Sequence, residues 1–240
     1  MSRTPQPPPP VSRSDLAGSD RLLVGRNPDR VAVKRYTVAA RMTHLVAALS
    51  MILLALSGLA IFSPHLFFLT ALFGGGQMTR MLHPWFGVAL ALAFILLFIR
   101  FVRLNLPAPG DGRWLAQIGD VLRGDEDKLP EVGKYNAGQK LVFWGMTAMV
   151  PVLGVTGVLI WQRYFSQYFT IEQMRWALLL HAIAAVVMIC IWLGHVIAAI
   201  WIAGSIDAMA KGTVSGGWAW RYHRLWLRAL AAFGADGRAK

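Results

Sequence analysis

The stretch "HAIAAVVMICIWLGH", residues 181–195, decides the fold. Thirteen uncharged residues stand between two imidazoles, inside an apolar run from about Arg175 to Gly204. As a helix rising 1.5 Å per residue, such a run crosses a hydrocarbon core of ~30 Å. Three more runs of this kind precede it. One is "VAARMTHLVAALSMILLALSGLAIF" at 38–62, one opens at His83-Pro84 and continues through "WFGVALALAFILLFIRF", and one extends from about Lys140 to Trp161. Proline suits a first helical turn, where its missing N–H has no partner to lose, and Pro151 with Gly154 predicts a kink in the third run. Of the 240 residues 56% are hydrophobic and they are gathered in these runs, so the expected fold is an all-α membrane protein, a bundle of four transmembrane helices.

The net charge of +12 invites a nucleic-acid reading until the basic residues are sorted by loop. Eight lie up to Arg41, seven from Arg100 to Lys140 and six after Gly204, against only Arg80, Arg163 and Arg175 in the other two loops. That asymmetry places both termini and the long middle loop in the cytoplasm, with Trp85, Trp161, Trp176 and Trp201 as interfacial anchors. The charge therefore serves topology, and no nucleic-acid partner is expected. Residues 1–34, with "PQPPPP" and no secretory signal core, read as a disordered Pro-rich cytoplasmic tail. Residues 35–210 read as the membrane domain and 211–240 as a cytoplasmic C-terminal tail. Within the middle loop, "LPAPGDG" and the acidic run Asp125, Glu126 and Asp127 require water, and a short amphipathic helix is expected around Trp114–Leu122. The single cysteine, Cys190, excludes an internal disulfide or a cysteine-built metal site and reads as a small buried filler.

Four of six histidines, His44, His83, His181 and His195, fall in or at the edge of the spans, where a polar group is costly. At 100° per residue, the fourteen steps from His181 to His195 end about 40° short of four full turns, so both project from one helix face, ~21 Å apart along the axis. The topology puts His181 toward the outer surface and His195 toward the cytoplasm. His44 enters from inside and shares the level of His195; His83 enters from outside and shares the level of His181. Two haem b groups, each held by two imidazoles, account for two level-matched pairs, because a bis-histidine iron has no open position and suits electron transfer. Ser57, Gly58, Gly87 and Gly194 would let a flat ring approach the helices, or serve ordinary packing. A proton pump would need acidic groups at depth, and a di-metal enzyme would cluster its histidines at one level. A haem-free transporter or scaffold with structural histidines is the alternative of a different class. His65 and His223 fit neither pair and read as surface or interface residues.

With these residues in view, the chain resembles the gamma subunit of membrane-bound formate dehydrogenase, a cytochrome b. The resemblance covers about Arg35 to Arg228 and rests on "RMTHLVAALS", "RMLHPWFGV", "GKYNAGQKLVFW", "SGL", "TGVLIW", "GHVIAAIW" and the two-histidine spacing of the fourth span. It departs in a longer N-terminal tail and in "SGGWAWRYHRLWLRAL", which lacks a proline after its histidine. The resemblance implies a bacterial inner-membrane complex. A formate-oxidising alpha subunit with molybdenum or tungsten and an iron–sulfur beta subunit with its own transmembrane helix lie on the outer side. Electrons would enter at the haem of His83 and His181 and leave from that of His44 and His195, beside a quinone site formed by His195, Asn136, Gly138 and Gln139. The quinone is menaquinone or ubiquinone. Asn136 and Gln139 also have the spacing of a capping box. Arg41 and Arg80, each three residues before a ligand, suit haem propionates or lipid headgroups. The nearest functional alternative is the cytochrome b subunit of a nickel–iron hydrogenase or related respiratory reductase.

Overall fold

A computed structural model describes residues 10–13, 16–24, 31–125 and 128–233. Four long helices dominate: α1 (Val38–Phe62), α2 (Gly76–Phe101), α5 (Ala137–Leu159) and α6 (Ile171–Trp201). Between α2 and α5 lie two short helices, α3 (Asp111–Ala116) and α4 (Ile118–Arg123), where one amphipathic helix was expected. After α6 come α7 (Ser205–Lys211), α8 (Gly216–Tyr222) and α9 (Arg224–Phe233). The four long helices, with α2 continuing to Asn105, have mean hydropathies of 1.8 to 2.6. Most of their large apolar side chains face outward, including Leu96, Val155, Ile183 and Ile197. A helix that is apolar all round and exposed belongs in lipid or against another membrane helix. The protein is thus a multi-pass membrane protein.

The helix starts follow local chemistry. Asn136 and Gln139 form a reciprocal capping box on α5: Gln139 N donates to Asn136 Oδ1 at 2.9 Å and Asn136 N to Gln139 Oε1 at 3.0 Å. Thr170 and Gln173 repeat the device on α6, at 3.2 and 2.9 Å. The second span differs from expectation. It begins at Gly76, seven residues before His83, so Pro84 lies inside the helix instead of in its first turn. The turn at Gly74 and Gly75, both with left-handed backbone (φ 86° and 99°), launches it. Thr79, fully buried, bonds back to the Gly75 carbonyl at 2.8 Å. Pro151 likewise lies within an uninterrupted α5.

The chain forms two compact units. One comprises residues 42–100 and 142–198. Its core is Ala47 and Met51 of α1, Leu90 and Ala93 of α2 and Met188 of α6, with Met146, Met149 and Leu153 of α5 packed on them. The small and flexible side chains let apolar helices approach closely.

The other unit draws on residues 1–41, 101–141 and 199–240, and within it residues 21–24 and 31–34 form strands where a disordered tail was expected. Strands β1 (Arg21–Val24), β2 (Val31–Lys34) and β3 (Thr213–Ser215) form an antiparallel sheet in the order β1-β2-β3. Val33 pairs with Leu22 on one side and Val214 on the other, and it packs with Trp226, Ala219 and Leu230 in the core of this unit. The C-terminal segment, expected as a tail, supplies most of that core. The Pro-rich residues 5–9, Glu126 and Asp127 lie outside the described residues.

A buried polar knot ties the three segments together. Asp20 pairs with Lys134, accepts from Trp226 Nε1 at 3.0 Å and accepts from its own turn at Ala17 N. Arg35 donates to the Lys134 carbonyl and lies 4.9 Å from the Trp226 ring centre, 5.1 Å from Trp218 and 5.6 Å from both Tyr36 and Tyr135. Aromatic faces replace the water lost by a buried guanidinium. His223, expected at a surface, is buried here instead, with Nδ1 2.8 Å from the Gly133 carbonyl and its ring 5.0 Å from Trp218. Burial first, then Arg35, holds its imidazole well below the ordinary range, so it remains neutral and Nδ1–H donates to that carbonyl.

Candidate functional site

All four span histidines lie in the unit of residues 42–100 and 142–198. α6 carries His181 and His195, while α1 supplies His44 and α2 supplies His83. The rings of His44 and His195 stand 6.2 Å apart, centre to centre, inclined at 57°. Those of His83 and His181 stand 6.3 Å apart at 70°. Each pair joins α6 to a different neighbouring helix, as the helical spacing predicts.

That separation has a chemical meaning. A metal–imidazole bond of about 2 Å sets two imidazoles on opposite sides of one ion roughly 6 Å apart, ring centre to ring centre. Both gaps therefore accommodate an ion bound by the two rings. Among the described residues, no group of three or more His, Cys, Asp and Glu side chains forms a metal site. A bare ion would have two protein ligands where four or more are usual. A macrocycle that brings its own equatorial donors fits such a donor set.

Small and hydroxyl-bearing residues surround one of the pairs. A Cβ added at Gly58 would stand 3.3 Å from His83 Cε1, and one added at Gly157 3.4 Å from His181 Cε1. Glycine leaves each imidazole the room it occupies. Beside each glycine a hydroxyl meets the ring: Ser57 Oγ is 2.8 Å from His83 Nδ1, and Thr156 Oγ1 is 2.9 Å from His181 Nδ1. Sequence reasoning singled out Ser57 and Gly58 as small residues only, and it missed Thr156 and Gly157. The available signal was the repeated hydroxyl-glycine step in "SGL" and "TGV", one copy in α1 and one in α5. Gly87 and Gly194 have no such contact with a ring: a Cβ at Gly87 meets only Leu54 Cδ2, at 4.0 Å, and one at Gly194 meets nothing.

The remaining expected site residues are placed as follows. Asn136, Gly138 and Gln139 lie at the start of α5, in the sheet-bearing unit, where the capping box occupies the amide oxygens of Asn136 and Gln139. Their NH2 groups are what they retain to offer a ligand. Gly138 abuts Trp114, whose Cη2 would be 3.0 Å from an added Cβ. A cavity in the same unit is lined by Trp114, Val121, Glu131, Asn136, Tyr222 and Arg224, among others. Arg41 engages the end of α7, with Nε donating to the Met209 carbonyl at 2.7 Å and Nη2 to that of Ala210. A guanidinium suits a helix C-terminus, where carbonyls lack partners. Arg80 is exposed on α2, and His65 is exposed in a 3-10 helix at Pro64–Phe73. Cys190, expected to be buried, faces outward from α6, where a small apolar side chain is at home against lipid.

Comparison with known proteins agrees with this architecture. Residues 35–212 match the family model described as prokaryotic cytochrome b561. The chain is 46% identical over 190 residues to the nitrate-inducible formate dehydrogenase cytochrome b556 subunit of Escherichia coli, covering 79% of this chain and 88% of that one. It is 38% identical over 201 residues to a second E. coli formate dehydrogenase cytochrome b556 subunit, covering 84% and 94%. With the formate dehydrogenase cytochrome b556 subunit of Haemophilus influenzae the identity is 36% over 218 residues, covering 91% and 87%. A family model that matches most of the chain, together with four apolar helices that carry paired histidines, makes this protein a member of the prokaryotic cytochrome b561 family.

Proposed function

We propose that this chain is the cytochrome b subunit of a formate dehydrogenase complex, with two haem b sites. One is held by His44 and His195 toward the cytoplasm and one by His83 and His181 toward the outer face. The observation that carries the reading is the presence of two imidazole pairs at 6.2 and 6.3 Å, each joining α6 to another helix. Haem bound between such rings supplies one-electron transfer without an open iron position. What the protein contributes is placement. α6 fixes the vertical separation of the pairs, the apolar residues between its histidines exclude water, and half-buried neutral imidazoles offer a nitrogen lone pair at each site.

The basic residues support termini on the cytoplasmic side of a bacterial inner membrane. The names of the relatives support membership of a formate dehydrogenase complex; the resemblance adds an electron donor in a formate-oxidising alpha subunit with molybdenum or tungsten, and an iron–sulfur beta subunit whose own helix would cover part of the exposed apolar surface. In this reading the acceptor is a quinone, menaquinone or ubiquinone, which takes two electrons and two protons to become a quinol. The resemblance assigns it His195, Asn136, Gly138 and Gln139. With electrons arriving from outside and protons taken from the cytoplasm, each turnover separates charge across the membrane.

The donor is tested on membranes containing the whole complex. Formate added under anaerobic conditions is expected to reduce both b-type signals, and hydrogen gas to reduce neither. Reduction by hydrogen alone would assign the chain to a hydrogenase instead.

A further inference from the structure

Ser57 and Thr156 are deeply buried hydroxyls in apolar helices, and each meets a histidine of the same pair. Their own hydrogen atoms have a destination: Ser57 Oγ donates to the Leu53 carbonyl at 2.6 Å and Thr156 Oγ1 to the Val152 carbonyl at 2.6 Å. Each hydroxyl oxygen is left as an acceptor, so the proton between it and the ring belongs to the imidazole. His83 and His181 are thereby fixed as neutral Nδ1–H rings, with the Nε2 lone pair available to a metal. The two hydroxyl-glycine steps thus form two copies of one cradle, with the hydroxyl gripping a ring and the neighbouring glycine making space for it.

We propose that Ser57 and Thr156 are positioning residues that orient His83 and His181 through Nδ1 and set the electronic character of the haem they hold. The proposal rests on the bis-histidine haem reading above. An Nδ1–H donated to an oxygen makes an imidazole a more basic ligand, and outer-shell partners of this kind typically contribute 10–100-fold in metal affinity. A more basic ligand favours the ferric ion over the ferrous one, so the contact lowers the reduction potential of this haem and leaves the other haem untouched. Because the hydroxyls approach from α1 and α5, the pair held by α2 and α6 is oriented by the two helices that do not supply its ligands.

The test is a redox titration with electron paramagnetic resonance of the purified complex, comparing Thr156→Val, Thr156→Ser and Ser57→Ala. Valine keeps the shape of threonine without the hydroxyl; serine keeps the hydroxyl without the methyl. Thr156→Val and Ser57→Ala are expected to raise the potential of one haem only and to shift its low-spin signal, while Thr156→Ser stays close to the parent. A tenfold loss of ferric relative to ferrous affinity reads as about 59 mV for one electron. Unchanged potentials in both hydroxyl-free variants, or equal shifts for Thr156→Val and Thr156→Ser, would overturn the proposal and reduce the contacts to packing. Failure of the underlying reading looks different: the parent complex itself would lack low-spin b-type signals, and the proposal would fall with it.

Discussion

Replacing His181 with alanine is expected to remove one haem, leaving roughly half of the b-type absorbance in the reduced-minus-oxidised spectrum of the purified complex. The loss follows from the geometry. His83 lies opposite His181 across a 6.3 Å gap, and no group of three potential ligands forms among the described residues to replace the lost imidazole. The pair of His44 and His195 belongs to other turns of the bundle and retains its own 6.2 Å spacing. The surviving signal is therefore low-spin and unaltered. With the site proposed for the outer face empty, formate is expected no longer to reduce it, whereas dithionite does. Retention of the full absorbance would contradict the pairing of His83 with His181.

His195→Ala gives the reciprocal result. Here the survivor is the haem of His83 and His181, and because it is the proposed entry point, formate is expected still to reduce it. Quinol formation falls by more than the ~10–100-fold typical of outer-shell changes, since a ligand itself is lost. The two variants together fix the order of the sites: formate-reducible survivor in one, dithionite-reducible only in the other. If formate reduced the survivor in His181→Ala and failed in His195→Ala, the direction of electron entry proposed here would be reversed.

Much of the membrane part was legible because lipid imposes a one-dimensional rule. α1 occupies the expected 38–62, and both histidine pairs could be found by counting turns along α6 and levels along α1 and α2. The start of α2 was hidden because Gly74–Gly76, Gln77, Thr79 and Arg80 look like loop chemistry, and Thr79 is satisfied only by the Gly75 carbonyl within the fold. The sheet was hidden for a different reason. "RLLV" and "VAVK" are short, and β2 finds a partner in β3 only after the entire set of spans. His223 is buried by Arg35, Trp218 and Trp226, and no local pattern around "RYHRLW" announces those neighbours. Ser57 and Thr156 are intermediate. Each lies in a readable "SG" or "TG" step, but its imidazole partner is 26 or 25 residues away.

The amide residues at the start of α5 illustrate how one pattern can serve two ends. The capping box of Asn136 and Gln139 is matched by Thr170 and Gln173 on α6, where no ligand is proposed, so capping alone explains the spacing. A role toward quinone draws on the NH2 groups that the caps leave over. The cytochrome reading does not depend on it.

The most direct test of the central claim is a count of haem in the purified subunit by the pyridine haemochrome method, with protein measured by amino-acid analysis. Two b-type haems per chain, both low-spin and both absent when His181 and His195 are replaced together, is the predicted result. One haem per chain, or none, or a full complement surviving that double replacement, would contradict the account.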